Sequence, residues 1–206
     1  MKSEIVTVIG HDGKPTRALY SEMSCADSVE NCENGNTQNP YEILDIKDGK
    51  HDLYIKYWIK LDEESIQGTD TWRTFFEWKT KDYDEGTGFR LISYINMEED
   101  GKMYWRWQGD HDSEIDPDWK FDNKEIEVPI KKWFKTEFFW SWNENGNSRA
   151  LWKINGQVIK DYIGPNVLPE KPVDFIMLSQ IYSDNNPKHQ WVDDIEVWDG
   201  YHEDQE

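Results

Sequence analysis

The chain is short of cysteine, short of positive charge and without long apolar runs, and each shortage excludes something. Two cysteines occur in 206 residues, Cys25 and Cys32 in CADSVENC. Two thiols without neighbouring histidines make a poor zinc site. The pair reads either as a short disulfide, which fits an extracellular or cell-surface location, or as two free thiols. Lys and Arg number 23 against 42 Asp and Glu, a formal net charge of −19. Such a field repels nucleic-acid phosphates and anionic bilayers, so neither is an expected partner, and a polyanionic ligand would need a local basic patch. No apolar run reaches the roughly 18 residues of a spanning helix, and the opening MKSEIVTVIGHDG has no apolar stretch of signal-peptide length. Internal repeats, heptads, low-complexity segments and convincing helical periodicity are missing as well, and no organic cofactor is expected.

What is present is aromatic. Hydrophobic residues are only 36% and charged ones 32%, a polarity that fits disorder, but disorder depletes aromatics and here they reach 15%, with 12 Trp. That combination points to a folded, β-rich domain with aromatic surface to spare. Residues 1–40 read as an irregular segment packed on one domain that spans 1–206, with NCENGNTQNP as a loop signal. From there the chain alternates with period two. The strand candidates are 41–46, 52–61, 71–80, 88–96, 102–109, 133–143, 149–155, 157–163, 174–184 and 190–200. EEDGK, NENGN and the Asn155–Gly156 pair in INGQ are hairpin signals. About ten or more strands with short antiparallel links make an all-β sandwich or barrel. The acidic stretch 110–132 reads as a long connection placed to wall a cleft.

Strict alternation sorts the strands into faces. In WRTFFEWKT it sets Trp72, Thr74, Phe76 and Trp78 against Arg73, Phe75, Glu77 and Lys79. In the next strand Arg90, Ile92, Tyr94 and Asn96 oppose an apolar row, and in 103–108 Met103, Trp105 and Trp107 oppose Tyr104, Arg106 and Gln108. In 174–182 the polar face carries Gln180 and Tyr182. Faces that mix aromatic rings with guanidinium, amide and carboxylate groups suit sugars: C–H faces stack on rings, and hydroxyls take hydrogen bonds from charged and amide side chains. The expected ligand is therefore a polysaccharide or oligosaccharide, contacted by Arg73, Glu77, Lys79, Arg90, Asn96 and Gln180, with Trp105 or Trp107 as the stacking platform.

WFKTEFFWSWNENGNSRALWKINGQVIKDY followed by QWVDDIEVWDG resembles the concanavalin A-like lectin/glucanase superfamily, and within it the jelly-roll polysaccharide lyases. The resemblance covers roughly residues 41–200 and implies an antiparallel jelly-roll sandwich. Its lyases carry an Arg–Ser/Thr–Glu–Leu/Val–Arg strand, a Gln–Ile/Val–His strand and a Tyr–Phe–Lys strand. Here Arg73–Lys79 is like the first with altered spacing, Tyr94–Ile95–Asn96 stands in place of the Gln and His, and Tyr182 is kept without the lysine. Elimination from a uronate polymer needs a neutralised carboxylate, a base and an acid. The resemblance makes Tyr94, Tyr182 and His189 the candidate catalytic groups, with Asn96, Gln180, Arg73 and Arg90 for the carboxylate. A retaining glucanase needs two opposed carboxylates instead, and Glu77 with Glu137 is the pair on offer. The resemblance also implies a structural calcium remote from the cleft, with Asp194 as its ligand. Binding with or without cleavage, by a monomer, is the expectation.

Overall fold

The computed structural model describes residues 2–22, 24–25, 37–38, 43–62, 72–80, 83, 88–111, 117–141, 148–164, 172–178 and 189–202. Every regular element among them longer than one turn is a strand: β1 (Lys2–Ile9), β2 (Pro15–Glu22), β3 (Ser24–Cys25), β4 (Thr37–Gln38), β5 (Ile43–Lys50), β6 (Asp52–Leu61), β7 (Trp72–Thr80), β8 (Arg90–Met97), β9 (Met103–Asp110), β10 (Trp119–Asn123), β11 (Trp133–Ser141), β12 (Ser148–Ile154), β13 (Gln157–Gly164), β14 (Val173–Met177) and β15 (His189–Asp199). Two antiparallel sheets form the sandwich. One has seven strands in the order β1-β2-β15-β6-β11-β12-β13, the other six in the order β10-β9-β8-β7-β14-β5.

Two stretches differ from the sequence reading. The N-terminal stretch read as irregular holds β1 and β2, a hairpin that extends the seven-stranded sheet through the β2–β15 pairing. Its alternation is blurred because residues such as Glu4 and Ile5 are both exposed on an edge strand. The acidic connection 110–132 contains β10, which pairs with β9 and closes the edge of the six-stranded sheet. Cys32 lies outside the described residues, and the Cys25–Cys32 pair with it. The INGQ hairpin forms as expected: Asn155 (φ 48°) and Gly156 (φ 76°) both take the left-handed conformation that a tight two-residue loop requires.

The core between the sheets is built from rings. Phe138 stacks on Phe76 at 4.2 Å and on Trp152 at 5.3 Å, Trp105 meets Trp152 at 5.2 Å, and Trp107 meets Trp119 at 5.3 Å. Six of the 12 tryptophans (Trp78, Trp105, Trp107, Trp119, Trp140, Trp152) are in this core. Half of the aromatic surplus is therefore spent on packing, where each large ring removes about 150–250 Å² from water.

One irregularity decides which residues reach the surface. The β7–β8 register shifts between Thr74 and Phe76, so Phe75 is an extra residue on β7. A bulge of this kind inverts the alternation beyond it. Phe75 packs on Trp105 and Trp152 while Phe76 packs on Phe138, so both point inward. On the C-terminal side Glu77 and Lys79 face outward, opposite Ile92 and Arg90. On the N-terminal side the parity is reversed: Trp72 stands opposite Asn96 on the outer face, and Arg73 turns into the sandwich.

Candidate binding site

The outer face of the six-stranded sheet is assembled by register. Trp72 lies opposite Asn96, Thr74 opposite Tyr94, Tyr94 opposite Arg106, and Arg106 opposite Asp122. Together these strands shape a cavity of about 180 Å³ lined by Trp72, Tyr94, Asn96, Arg106 and Gln108. Trp72, 40% exposed, meets the Tyr94 ring edge-on at 5.3 Å. The Asn96 side-chain oxygen is shut from water with no hydrogen-bond partner in the protein. Arg106 is held by Asp122: Nε donates to Oδ1 at 2.7 Å and Nη2 to Oδ2 at 2.9 Å, while Nη2 also reaches the Tyr104 hydroxyl at 3.0 Å. This bond raises the pKa of Arg106 and lowers that of Asp122. Burial raises the Tyr94 phenol above its ordinary value, so it is protonated at neutral pH.

Beside the cavity lies a buried polar network. Arg90 donates through Nη1 to Glu77 Oε1 at 3.1 Å, through Nη2 to Asp110 Oδ2 at 3.1 Å and through Nε to Asp110 Oδ1 at 3.1 Å. The Tyr83 hydroxyl donates to Asp110 Oδ1 at 2.5 Å, and Gln108 Nε2 donates to Oδ2 at 3.2 Å. The Tyr83 ring also takes the Arg90 guanidinium at 5.0 Å and the Lys79 ammonium at 5.1 Å.

Of the residues singled out from sequence, the structure brings Glu77, Lys79, Arg90, Tyr94 and Asn96 to this one face. Arg73 is not among them. It is 0% exposed inside the sandwich, its Nη2 donating to Gln190 Oε1 of the opposite sheet at 2.6 Å and its Nε to the Thr74 carbonyl at 2.9 Å. Burial brings its pKa down to about 9, still protonated at neutral pH. Trp105 and Trp107 are core residues, 0% and 2% exposed, and are closed to a ligand; the exposed indole on this face is that of Trp72. His189 sits on the seven-stranded sheet beside Tyr20 and Trp191, away from this face. Glu137, bonded by the Tyr54 hydroxyl, is on the outer face of that same sheet, so Glu77 and Glu137 cannot flank one bond. Gln180 and Tyr182 lie outside the described residues. Trp72, Arg106, Gln108, Asp110 and Tyr83 were missed. Arg106 and Gln108 stand on the polar side of an alternating strand, and only the bulge hides Trp72.

No family model and no curated protein matches the chain. Solved structures do match its fold. The alginate lyase Aly36B superposes with a TM-score of 0.64 at 12% identity, over 95% of this chain and 85% of that one. Mutants of that lyase were solved with alginate trisaccharide and tetrasaccharide. An endo-β-1,4-glucuronan lyase from the fungus Trichoderma reesei gives 0.63 at 11% identity over 96% and 87% of the two chains. A marine alginate lyase from Aplysia kurodai gives 0.57 at 11% identity over 95% and 87%. The fold is that of these lyases, an antiparallel β-sandwich jelly roll of two facing sheets.

In this jelly roll Asp194 sits on the seven-stranded sheet, where β15 is bulged between Asp193 and Glu196 and Asp194 adopts φ 49°. It borders a second cavity, of about 490 Å³, with His11, Lys56, Trp58, Lys135, Ile195 and Glu196. Its carboxylate takes the His11 Nε2 hydrogen bond at 2.9 Å, and Lys56 pairs with Glu196 at 3.4 Å. Among the described residues no group of three or more His, Cys, Asp or Glu side chains is placed to hold a metal ion.

Proposed function

We propose that the protein binds a polysaccharide laid across the outer face of the six-stranded sheet, over Trp72 and Tyr94. The observation that carries this reading is the cavity chemistry: a half-exposed indole set edge-on to a phenol, beside the Asn96 and Gln108 amides. Amide groups at the lining suit the hydroxyls of a sugar. The rings offer flat apolar faces for the C–H side of a pyranose. The kinship of fold with polysaccharide lyases supports the same class of ligand. Such a ligand sets the protein outside the cell or at its surface. Affinity electrophoresis against a panel of polysaccharides tests the reading. The parent is retarded by at least one polymer, and Trp72→Ala and Tyr94→Ala each weaken that retardation about tenfold or more. If both variants bind every polymer as the parent does, the reading is wrong.

Cleavage by β-elimination is the second reading. Burial holds Tyr94 protonated in the cavity, which puts a proton donor for the leaving oxygen there; the C5 proton would pass to solvent hydroxide, and its electron pair would form the new C–C double bond as the C–O bond to the leaving group breaks. The product would carry an unsaturated uronate with its own ultraviolet absorbance. A scan of uronate polymers that produces none, with the protein in large excess, removes this reading and leaves binding intact.

A further inference from the structure

We infer that this face selects an uncharged polysaccharide over a polyuronate; the inference rests on the glycan-binding reading above and weighs against elimination. Among the described residues, one cation lines the cavity, Arg106. It already holds a carboxylate in the two-pronged geometry a uronate would need, through its bonds of 2.7 and 2.9 Å to Asp122. Among the described residues only the Nη1 edge of Arg106 is left to a uronate, whose charge would then sit beside that of Asp122. The other guanidinium on the face, Arg90, is taken by Asp110 and Glu77, both buried. Lys79 and Lys120 share the face without lining the cavity. Lys79 lies over the Tyr83 ring, and Lys120, exposed on β10, adds its charge to the field that holds Asp122 ionised.

Within the cavity an anionic sugar therefore meets the Asp122 charge beside the one lining cation, while the exposed Lys120 amine stands outside the lining, opposite Gln108. The whole-chain charge of −19 adds a repulsion that acts over about a Debye length. The rest of the cavity lining is neutral: the Trp72 indole, the Tyr94 phenol and the Asn96 and Gln108 amides. Those groups match hydroxyls and C–H faces. Asp122 is thus a specificity determinant that keeps Arg106 from recruiting carboxylates.

The experiment is isothermal titration of the full chain, and of Asp122→Asn, with two sets of hexasaccharides: uncharged (β-1,4-glucan, β-1,3-glucan, xylan, mannan) and uronate (alginate, glucuronan, polygalacturonate). We expect the parent to bind at least one uncharged oligomer about tenfold or more tightly than any uronate. Asp122→Asn, a change at a part-exposed surface site that keeps the fold, raises uronate affinity about tenfold by freeing a charged bidentate donor, while uncharged binding stays within about twofold. Added salt raises the parent's uronate affinity and leaves its uncharged binding unchanged. A parent that prefers a uronate, or an Asp122→Asn variant with unchanged uronate affinity, overturns the inference alone. Binding of neither set overturns the glycan-binding reading and this inference with it.

Discussion

The sharpest test of the bulge at Phe75 is to change the two residues on its N-terminal side and measure two different quantities. Simple alternation makes Trp72 a core residue and Arg73 a ligand contact; the bulged register reverses them. Truncating Arg73 to Ala removes two methylenes, about 1.6 kcal/mol at ~0.8 kcal/mol each. It also leaves the Gln190 amide fully buried with its oxygen newly unbonded and its nitrogen already so, a further cost of about 1–3 kcal/mol. Relief of a desolvated charge works in the opposite direction. The expected net is a loss of about 3 kcal/mol in urea unfolding followed by tryptophan fluorescence. Arg73→Met keeps the stem and costs less. Glycan affinity of the folded Arg73 variants stays within about threefold of the parent, because the side chain never reaches the cavity. Trp72→Ala shows the converse: about 1 kcal/mol of stability, since the ring is 40% exposed and meets Tyr94 edge-on, but about tenfold in glycan affinity. If Arg73→Ala unfolds with the parent's midpoint and weakens glycan binding while Trp72→Ala does neither, the bulged register is wrong.

Other consequences are as direct. Burial raises the phenols of Tyr57, Tyr83 and Tyr94 above the ordinary value of 10.0. The folded state therefore holds those protons more tightly than the unfolded chain, so their contribution to stability is fully present below pH 10 and is lost as pH rises above it. In an alkaline titration these three ionise only with global unfolding, and Tyr57→Phe moves the unfolding midpoint to higher pH; three phenolates formed in the still-folded protein would contradict this. Gly109→Ala puts a Cβ within 2.6 Å of the Trp119 indole and 2.7 Å of Phe89, so it lowers stability by about 1–3 kcal/mol, visible as a fall in Tm. Asp110→Asn strips Arg90 of its principal partner beside Glu77 and costs about 3 kcal/mol in the same unfolding assay; a neutral outcome would show that the network contributes no net stability.

The legible and illegible parts of this fold separate on one physical feature, the constancy of alternation. Where alternation runs unbroken, as in β8 and β9, the faces read from sequence are the faces observed, and Arg90, Tyr94 and Asn96 fall on one surface. Two adjacent phenylalanines in TFFEW are the mark left by the bulge, since strict alternation offers no place for two inward rings in sequence. Read without that mark, the same nine residues exchange the roles of Trp72 and Arg73. The tryptophans misled for another reason. Composition counts rings but not where they point, and Trp105 and Trp107 lie on the inward parity of β9. The strands β1 and β10 escaped because edge strands bury little and so need no clean apolar row.

The buried network on the outer face explains how a surface rich in charge can still serve an uncharged ligand. Arg90, Glu77 and Asp110 carry one positive charge against two negative, and the Tyr83 hydroxyl and Gln108 amide donate to Asp110. Both carboxylates meet the Arg90 guanidinium within the protein, so its positive charge is not free for a sugar. What the network supplies instead is position. Arg90 ties β7, β8 and β9 together through Glu77 and Asp110, and Gln108, which lines the cavity, is oriented by its own bond to Asp110. Tyr94 and Asn96 project from the same strand as Arg90, at every second residue. A polar floor fixed in this way loses little conformational entropy when a ligand arrives, which is the condition for a small set of neutral contacts to give useful affinity. The charges serve here as struts, and recognition falls to the rings and amides set between them.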